Sequence, residues 1–362
     1  MIPTSKPVID KEMEREMLRV LKEEFFVGGK SVEKFEEEFA EYIGVDYAVA
    51  VSSGTDALVI ALRCLGIKGK VITTPMTFVA TVESIILAGA KPKFADIDTN
   101  TWNIDPFKIE EQIDKDVRAI IPVHLYGLPC DMKSIMEIAE DNNLYVVEDS
   151  TQAHGAAYNG KKTGSIGDVG CFSFYSTKNM TVAGNGGMIT TNDKQIAKKA
   201  KLLREHGGSN FAEFVGYNAR MNTINASIGR IQLRRLDKWN EKRRKIAKFY
   251  FKYLNKVNDD IPCIPIKLPV YDKNHVYHLF VIESELRDKL REYLKNKGIL
   301  CGVHYPMPIH SLKPYQKYSS NRYYFSEYHA KTCLSLPIYP DLKEDEVKMI
   351  CDEIKNFYVG KP

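Results

Sequence analysis

The chain has 362 residues, of which 44% are hydrophobic and 27% charged, and its formal net charge is +4. This composition is typical of a soluble globular protein with a sizeable core, and the small net charge gives no indication of a nucleic-acid partner. The amino terminus has no apolar signal core and no apolar run is long enough to span a bilayer, so we expect a cytoplasmic protein without membrane anchorage. Seven scattered cysteines, Cys263 among them, favour reduced thiols.

Apolar runs alternate with helical patterns over the first half of the chain. Helical spacing predicts helices over 11–22 and 31–42, ahead of the first strand. Seven short runs have the length and composition of strands, centred near residues 48, 72, 94, 120, 146, 171 and 189. The alternation predicts an α/β domain with a largely parallel sheet.

Two turns that follow predicted strands could face a ligand. The first contains Gly54, Thr55 and Asp56 at the start of an apolar helix, where unpaired N–H groups could hold a phosphate. We interpret Asp56 as a cap or first-turn residue, because its negative charge would repel a phosphate dianion. Ordinary helix capping is an alternative explanation for all the residues of this turn. In the second turn, Thr77 could cap a helix whose first turn carries Phe78, which could equally be a core residue.

The stretch 144–191 carries the residues that indicate chemistry. A buried strand ends in Asp149, and a later strand leads to Lys178, which is followed by a glycine-rich return, GNGGMITT. An acid at a strand end and a lysine on a loop suit pyridoxal phosphate (PLP), which bonds a lysine and needs an acidic partner for its ring nitrogen. A surface lysine and a capping aspartate are the alternatives.

The last third of the chain has a different character. The basic segment 230–244 has apolar residues near helical spacing, which predicts the solvated face of one long helix. Further strands, helices and prolines follow, including Pro262 and Pro265, and the loop HYPMPIH contains His304, Tyr305 and His310. Two histidines six residues apart without a third ligand make a poor metal site, so we predict no metal. This change of character near residue 240 predicts a large domain over 1–238 and a small α+β domain over 239–362.

Three stretches together resemble the signature of the DegT/StrS family of sugar-nucleotide aminotransferases: EDSTQAHGA, GSIGDVGCFSFYSTKN and GNGGMITT. The resemblance continues through most of the chain. It implies the fold of fold-type I PLP-dependent transferases, with a seven-stranded, mostly parallel sheet flanked by helices and a smaller C-terminal domain. It also implies a homodimer whose active site lies at the subunit interface.

The same resemblance implies a role for each matching residue. Lys178 would form the internal aldimine and act as the base, and Asp149 would hold the ring nitrogen protonated. The other cofactor contacts implied are stacking by Phe78, a hydrogen bond from Gln152 to the phenolic oxygen, and phosphate contacts from Gly54, Thr55, Asp56, Ser173 and, across the dimer, Asn218. Tyr305, His310 and Arg220 would contact substrate.

The implied reaction is ping-pong transamination. L-Glutamate leaves its nitrogen on the cofactor as pyridoxamine phosphate, and a nucleotide-linked 3-keto or 4-keto deoxysugar collects it, as in amino sugar and polysaccharide biosynthesis. Lysine at 178 favours transamination over a related dehydratase branch that carries histidine there. A PLP-dependent lyase or dehydrating synthase, and a non-catalytic PLP-binding sensor, are the alternatives. By the same resemblance, we expect the chain to differ from most relatives at Asn185, Thr223 and Asn225.

Overall fold

The computed structural model describes residues 1–208, 212–261, 266–319 and 321–360, so Pro262, Cys263 and Pro265 lie outside the described residues. The helices are α1 (Lys11–Glu23), α2 (Lys30–Ile43), α3 (Gly54–Cys64), α4 (Val79–Leu87), α5 (Pro106–Glu110), α6 (Met132–Asp141), α7 (Lys194–Arg204), α8 (Thr223–Leu233), α9 (Leu236–Asp260), α10 (Arg287–Asn296), α11 (Tyr324–Thr332) and α12 (Glu344–Val359). The strands are β1 (Tyr47–Val51), β2 (Lys70–Thr73), β3 (Lys91–Phe94), β4 (Val117–Ile121), β5 (Tyr145–Asp149), β6 (Ala157–Tyr158), β7 (Lys161–Lys162), β8 (Val169–Ser173), β9 (Gly187–Thr191), β10 (Phe280–Glu283) and β11 (Cys333–Leu336).

All seven strands expected from the sequence join one sheet, in the order β1-β9-β8-β5-β4-β2-β3. Among its described strands, β9 runs antiparallel to both neighbours, whereas the other neighbouring pairs are parallel. Strands β4, β5 and β8 are almost wholly buried, as expected for central strands covered by helices on both faces. The predicted α/β fold with a mostly parallel seven-stranded sheet is confirmed.

A second core lies in the C-terminal part of the chain. The antiparallel pair β10-β11 packs with α9, α10 and α12 around Tyr250, Phe280 and Leu336. Residue Ile2 also belongs to this core and pairs with Ile299, so the first residues of the chain pack with residues that the sequence assigned to the other domain. The boundary proposed at 238/239 falls inside α9, and it stays a prediction.

The sequence predicted one long helix over the basic segment 230–244, but the structure divides this segment between two helices. Helix α8 ends at Leu233 and α9 begins at Leu236. Arg235, between them, makes ion pairs with Asp10 and Glu12 at the start of α1. These tertiary contacts explain why a continuous helical pattern is interrupted.

The six described cysteines are free and buried. No helix among the described residues combines the length and apolar character that crossing a membrane requires.

Candidate active site

The sheet brings the ends of several strands to one edge. β5 and β8 are parallel neighbours, and Asp149, the last residue of β5, pairs with Cys171, two residues before Ser173 at the end of β8, so both strands end at the same edge of the sheet. Val51 at the end of β1 and Ser173 at the end of β8 both pair with Gly187 at the start of β9. The turn into α3 therefore opens at the same edge as Asp149.

A cavity of about 660 Å³ lies at this edge, between the large sheet and the small domain. Its lining comes from both parts of the chain, residues 4–185 and residues 278–305. Of the residues predicted from the sequence, it contains Gly54, Thr55, Phe78, Asp149, Gln152, Ser173, Lys178 and Tyr305.

Asp149 forms a buried, oriented acid in the wall of the cavity. The residue is 2% exposed. Its Oδ2 accepts a hydrogen bond from Thr81 Oγ1 at 2.8 Å, and its Oδ1 accepts one from the Thr151 N–H at 3.2 Å. Because each oxygen of an ionised carboxylate can accept two hydrogen bonds, capacity remains for a donor on a ligand.

Lys178 lies on the turn after β8, where its N–H donates to Tyr175 O at 2.9 Å. Burial lowers the pKa of Lys178 from 10.5 to about 8, and the nearby charge of Asp149 opposes this change. A fall of this size raises the neutral fraction at pH 7 by roughly 300-fold. The amine is thus suited to act as a nucleophile or base near neutral pH.

The start of α3 is packed so closely that only glycine fits. A Cβ added at Gly54 would meet Ser173 Cβ at 2.6 Å, and one at Gly187 would meet Ser53 O at 2.2 Å. Ser53 Oγ caps the helix by accepting from the Asp56 N–H at 3.0 Å. The carboxylate of Asp56 accepts from the hydroxyls of Ser52 and Ser53 and does not line the cavity, in agreement with its interpretation as a first-turn residue.

The remaining predicted cavity residues form a linked set. Phe78 is the N-cap residue of α4, one position before the first turn where the sequence placed it, and it is 53% exposed. Its ring centroid lies 5.8 Å from that of Tyr305. Gln152 Oε1 accepts from the Tyr126 N–H at 2.9 Å and its Nε2 donates to Tyr305 Oη at 3.2 Å. One Nε2 hydrogen is left for a ligand.

Besides Asp56, three predicted site residues do not line this cavity in the single chain. Asn218 is exposed, and Arg220 Nη1 pairs with Glu205 Oε1 at 2.6 Å. His310 is buried and does not line the cavity; its ring makes edge contacts with those of Phe94 and Tyr323, and its Nε2 lies 3.4 Å from Glu327 Oε1. The structure thus gives His310 a packing environment, and its predicted substrate contact has no support from this geometry.

Other cavity residues were not identified from the sequence. Thr81, which holds Asp149, comes from α4, and His278 and His304 come from the small domain. The motif HYP contained His304, but no local signal marked Thr81 or His278 as site residues.

The cofactor suggested by the sequence fits these residues. A partly neutral lysine, a buried acid with free acceptor capacity, and a glycine-lined helix start with an anion-binding dipole occur in one cavity. These are the groups that a phosphate, a ring nitrogen and an aldehyde require.

The sequence model of the DegT/DnrJ/EryC1/StrS aminotransferase family matches residues 7–355. The chain belongs to this family. A "dTDP-3-amino-3,6-dideoxy-alpha-D-galactopyranose transaminase" from Aneurinibacillus thermoaerophilus is 40% identical, with 96% of this chain and 95% of that protein covered. A "Pleiotropic regulatory protein" from Geobacillus stearothermophilus is 39% identical, with the same shares of 96% and 95%. The crystal structure of S. venezuelae DesV "in complex with ketimine intermediate" has 35% identity, a TM-score of 0.92 and 98% coverage of both chains.

Asn185, Thr223 and Asn225, the residues at which we expect this chain to differ from its relatives, lie on segments that contact one another. Asn185 lines the cavity, and its backbone oxygen accepts from Asn225 Nδ2 at 2.7 Å. Thr223 Oγ1 donates to Phe25 O at 2.6 Å and accepts from the Gly29 N–H at 3.2 Å. In this member of the family, the start of α8 therefore fixes both the glycine turn and the segment 25–29.

Proposed function

We propose that the protein is a PLP-dependent aminotransferase that moves the amino group of L-glutamate to a nucleotide-linked keto deoxysugar. The observation that carries the proposal is the meeting of Lys178 and Asp149 in one cavity, in a chain that belongs to an aminotransferase family. Bound PLP supplies an electron sink that makes a hydrogen on the amino-bearing carbon acidic.

The chain's own residues supply binding and proton transfer. Asp149 offers its carboxylate to the ring nitrogen, with Thr81 and Thr151 fixing its orientation. The first-turn amides of α3 and the hydroxyl of Ser173 would hold the phosphate, since Gly54, Thr55 and Ser173 all line the cavity. The amine of Lys178 would serve as the base that holds and moves the proton of the amino-bearing carbon when the cofactor is bound.

We infer that the sugar carbonyl is at C3, with C4 as the alternative. Support for C3 is the name of the 40% identical relative, a transaminase of a 3-amino sugar. Phe78 and Tyr305 present aromatic surface at the cavity, which suits a ring-shaped cofactor or substrate.

We also infer a homodimer. Phe25, Phe26 and Val27 are 82%, 61% and 48% exposed, an apolar run that favours contact with a second copy. Asn218 is exposed in the single chain and free to reach a partner subunit, in accord with the role implied by resemblance.

The direct test is a product assay. The purified protein, PLP and L-glutamate are incubated with a panel of nucleotide-linked 3-keto and 4-keto sugars, and products are identified by mass spectrometry and NMR. We expect an amino sugar and one equivalent of 2-oxoglutarate. Loss of water or ammonia without amino transfer would support a lyase or dehydrating synthase. Cofactor binding with no turnover would favour a regulatory role such as the name of the Geobacillus relative suggests.

Gly54→Ala tests the phosphate site. The added methyl group would meet Ser173, so the start of α3 must shift, and we expect PLP to bind at least ~10-fold more weakly. Gly229→Ala is the matched control, because its Cβ would meet the Phe35 ring at 2.6 Å, away from the cavity. The control should lower the Tm without weakening PLP binding; equal binding losses in both variants would contradict the assignment.

A further inference from the structure

Tyr126 connects cavity residues that come from distant parts of the chain. It lies in the turn that follows β4, is 2% exposed and does not itself line the cavity. Its backbone N–H donates to Gln152 Oε1 at 2.9 Å, and its hydroxyl donates to the backbone oxygen of His304. Gln152 Nε2 in turn donates to Tyr305 Oη at 3.2 Å. Since Tyr305 follows His304 in the chain, these three hydrogen bonds close a ring.

The donors and acceptors of this ring can be arranged in only one way. The backbone N–H of Tyr126 can only donate, so the Gln152 amide turns its oxygen towards Tyr126 and its nitrogen towards Tyr305. Because that nitrogen can only donate, Tyr305 Oη is the acceptor in their contact. The hydroxyl hydrogen of Tyr305 is therefore not used by Gln152, and no other described residue accepts it. It is left for a ligand in the cavity that Tyr305 lines.

A second contact directs the hydroxyl hydrogen of Tyr126. His329 Nε2 lies 2.9 Å from Tyr126 Oη, and His329 Nδ1 lies 2.6 Å from Glu283 Oε1. A carbonyl oxygen can only accept, so the one hydrogen of the Tyr126 hydroxyl goes to His304 O, and His329 Nε2 must donate to Tyr126 Oη. Burial raises the pKa of Tyr126 well above its ordinary value, so the hydroxyl keeps its hydrogen. The ring of His329 is held by stacking on Trp102, with the ring centroids 4.7 Å apart.

The backbone of Tyr126 is held in a conformation that costs free energy. Its φ of 60° lies in the left-handed region, which tyrosine rarely adopts. Such a conformation persists only where surrounding contacts enforce it. Here the Leu279 N–H donates to Tyr126 O at 3.3 Å, and the Val276 N–H donates to Gly127 O at 3.0 Å. The fold therefore places Tyr126 precisely, with its N–H towards one cavity residue and its hydroxyl towards another.

We propose that Tyr126 is a positioning residue that holds Tyr305 at both ends, so that the hydroxyl of Tyr305 donates to an oxygen of the bound keto sugar. The hydroxyl of Tyr126 fixes the backbone next to Tyr305, and the Tyr126 N–H fixes the Tyr305 hydroxyl through Gln152. The proposal rests on the proposed aminotransferase function. Tyr126 lies outside the cavity lining and acts only through these neighbours.

The substitution Tyr126→Phe isolates the role of the hydroxyl. The variant loses the donor to His304 O and keeps both the ring and the backbone N–H that holds Gln152. The matched control is Tyr250→Phe. Tyr250 is also buried, and its hydroxyl also donates to a backbone oxygen, that of Pro337 at 2.7 Å, away from the cavity. Both variants should lower the Tm, so the Tm alone does not distinguish them.

Hydrogen–deuterium exchange on the cofactor-free protein tests the contact without any catalysis. We expect the peptide that contains residues 302–305 to exchange roughly 3- to 10-fold faster in Tyr126→Phe, because one hydrogen bond contributes about that factor to a local opening equilibrium. In Tyr250→Phe this peptide should exchange as in the wild type. Wild-type exchange in Tyr126→Phe would overturn the proposal, because the hydroxyl would then not hold this segment.

Kinetics of the two half-reactions test whether Tyr126 acts through Tyr305. We expect Tyr126→Phe and Tyr305→Phe each to lower kcat/KM for the sugar nucleotide about 3- to 10-fold, with a smaller effect on the half-reaction with L-glutamate. The double variant should lose little more than Tyr305→Phe alone, because the hydroxyl through which Tyr126 acts is already absent. Tyr250→Phe should leave both half-reactions unchanged.

Two kinetic outcomes would also overturn the proposal. A double variant that loses the product of the two single losses would mean that Tyr126 and Tyr305 act independently. Equal slowing of both half-reactions in Tyr126→Phe would mean that the hydroxyl serves the fold in general. A wild-type protein that aminates no keto sugar would refute the proposed function, and the exchange comparison would still decide whether Tyr126 holds the segment 302–305.

Discussion

Replacing Lys178 with alanine is expected to reduce amino transfer by at least ~10³-fold, the largest loss expected from any single substitution in this protein. The substitution removes both the covalent attachment point and the base that moves the proton. Its amine is the group whose pKa the cavity lowers to about 8, so no exposed lysine could replace it at neutral pH. The measurement is the rate of 2-oxoglutarate formation in a single turnover with L-glutamate.

A matched control is Lys162→Ala. Lys162 is also partly buried, burial also lowers its pKa, and its Nζ donates to Tyr42 O at 2.7 Å, away from the cavity. This variant should lose stability and keep its rate. Borohydride treatment of the wild-type protein should fix the cofactor on the peptide that contains Lys178; fixation on another lysine would overturn the assignment.

The strands and the two central residues could be predicted because their signals are local. Seven apolar runs give seven strands, and parallel strands necessarily bring their carboxyl ends to one edge, so Asp149 and the turn with Lys178 could be placed near each other. Gly54 was recognisable for the same reason, because a glycine at a strand-to-helix turn indicates a close backbone approach.

The residues that hold the site residues in place come from segments far apart in the sequence. Thr81 holds Asp149 from 68 residues away, and Asn179 meets His278 across 99 residues. In the sequence, His278 stands among apolar residues of a predicted strand and gives no sign of facing a ligand. The break between α8 and α9 has a similar origin, since the ion pairs of Arg235 with α1 are tertiary.

The environment of His310 could not be predicted from its position in the loop. It shares a proline-rich loop with Tyr305, yet the loop turns between them, so that Tyr305 lines the cavity and His310 packs against Phe94. Spacing along an irregular loop does not determine which side chains share a face, whereas spacing along a strand does.

Asp149→Asn is expected to lower kcat by about 10- to 100-fold, with a smaller effect on the fold. An amide can offer the ring nitrogen only a neutral hydrogen bond, so the variant loses a charge-assisted one of the kind that contributes about 1.5–3 kcal/mol. The side-chain oxygen of asparagine can still accept from Thr81 Oγ1, so the residue should keep its position. The measurements are kcat, the absorbance spectrum of the bound cofactor and the Tm.

Asp168→Asn is the control, because Asp168 Oδ2 accepts from the Val146 N–H at 2.7 Å outside the cavity lining, and it should affect the Tm alone. An Asp149→Asn variant with wild-type kcat would mean that the ring nitrogen is not held by this carboxylate. The substitution changes little except the negative charge of the side chain, so a role for that charge must show in kcat.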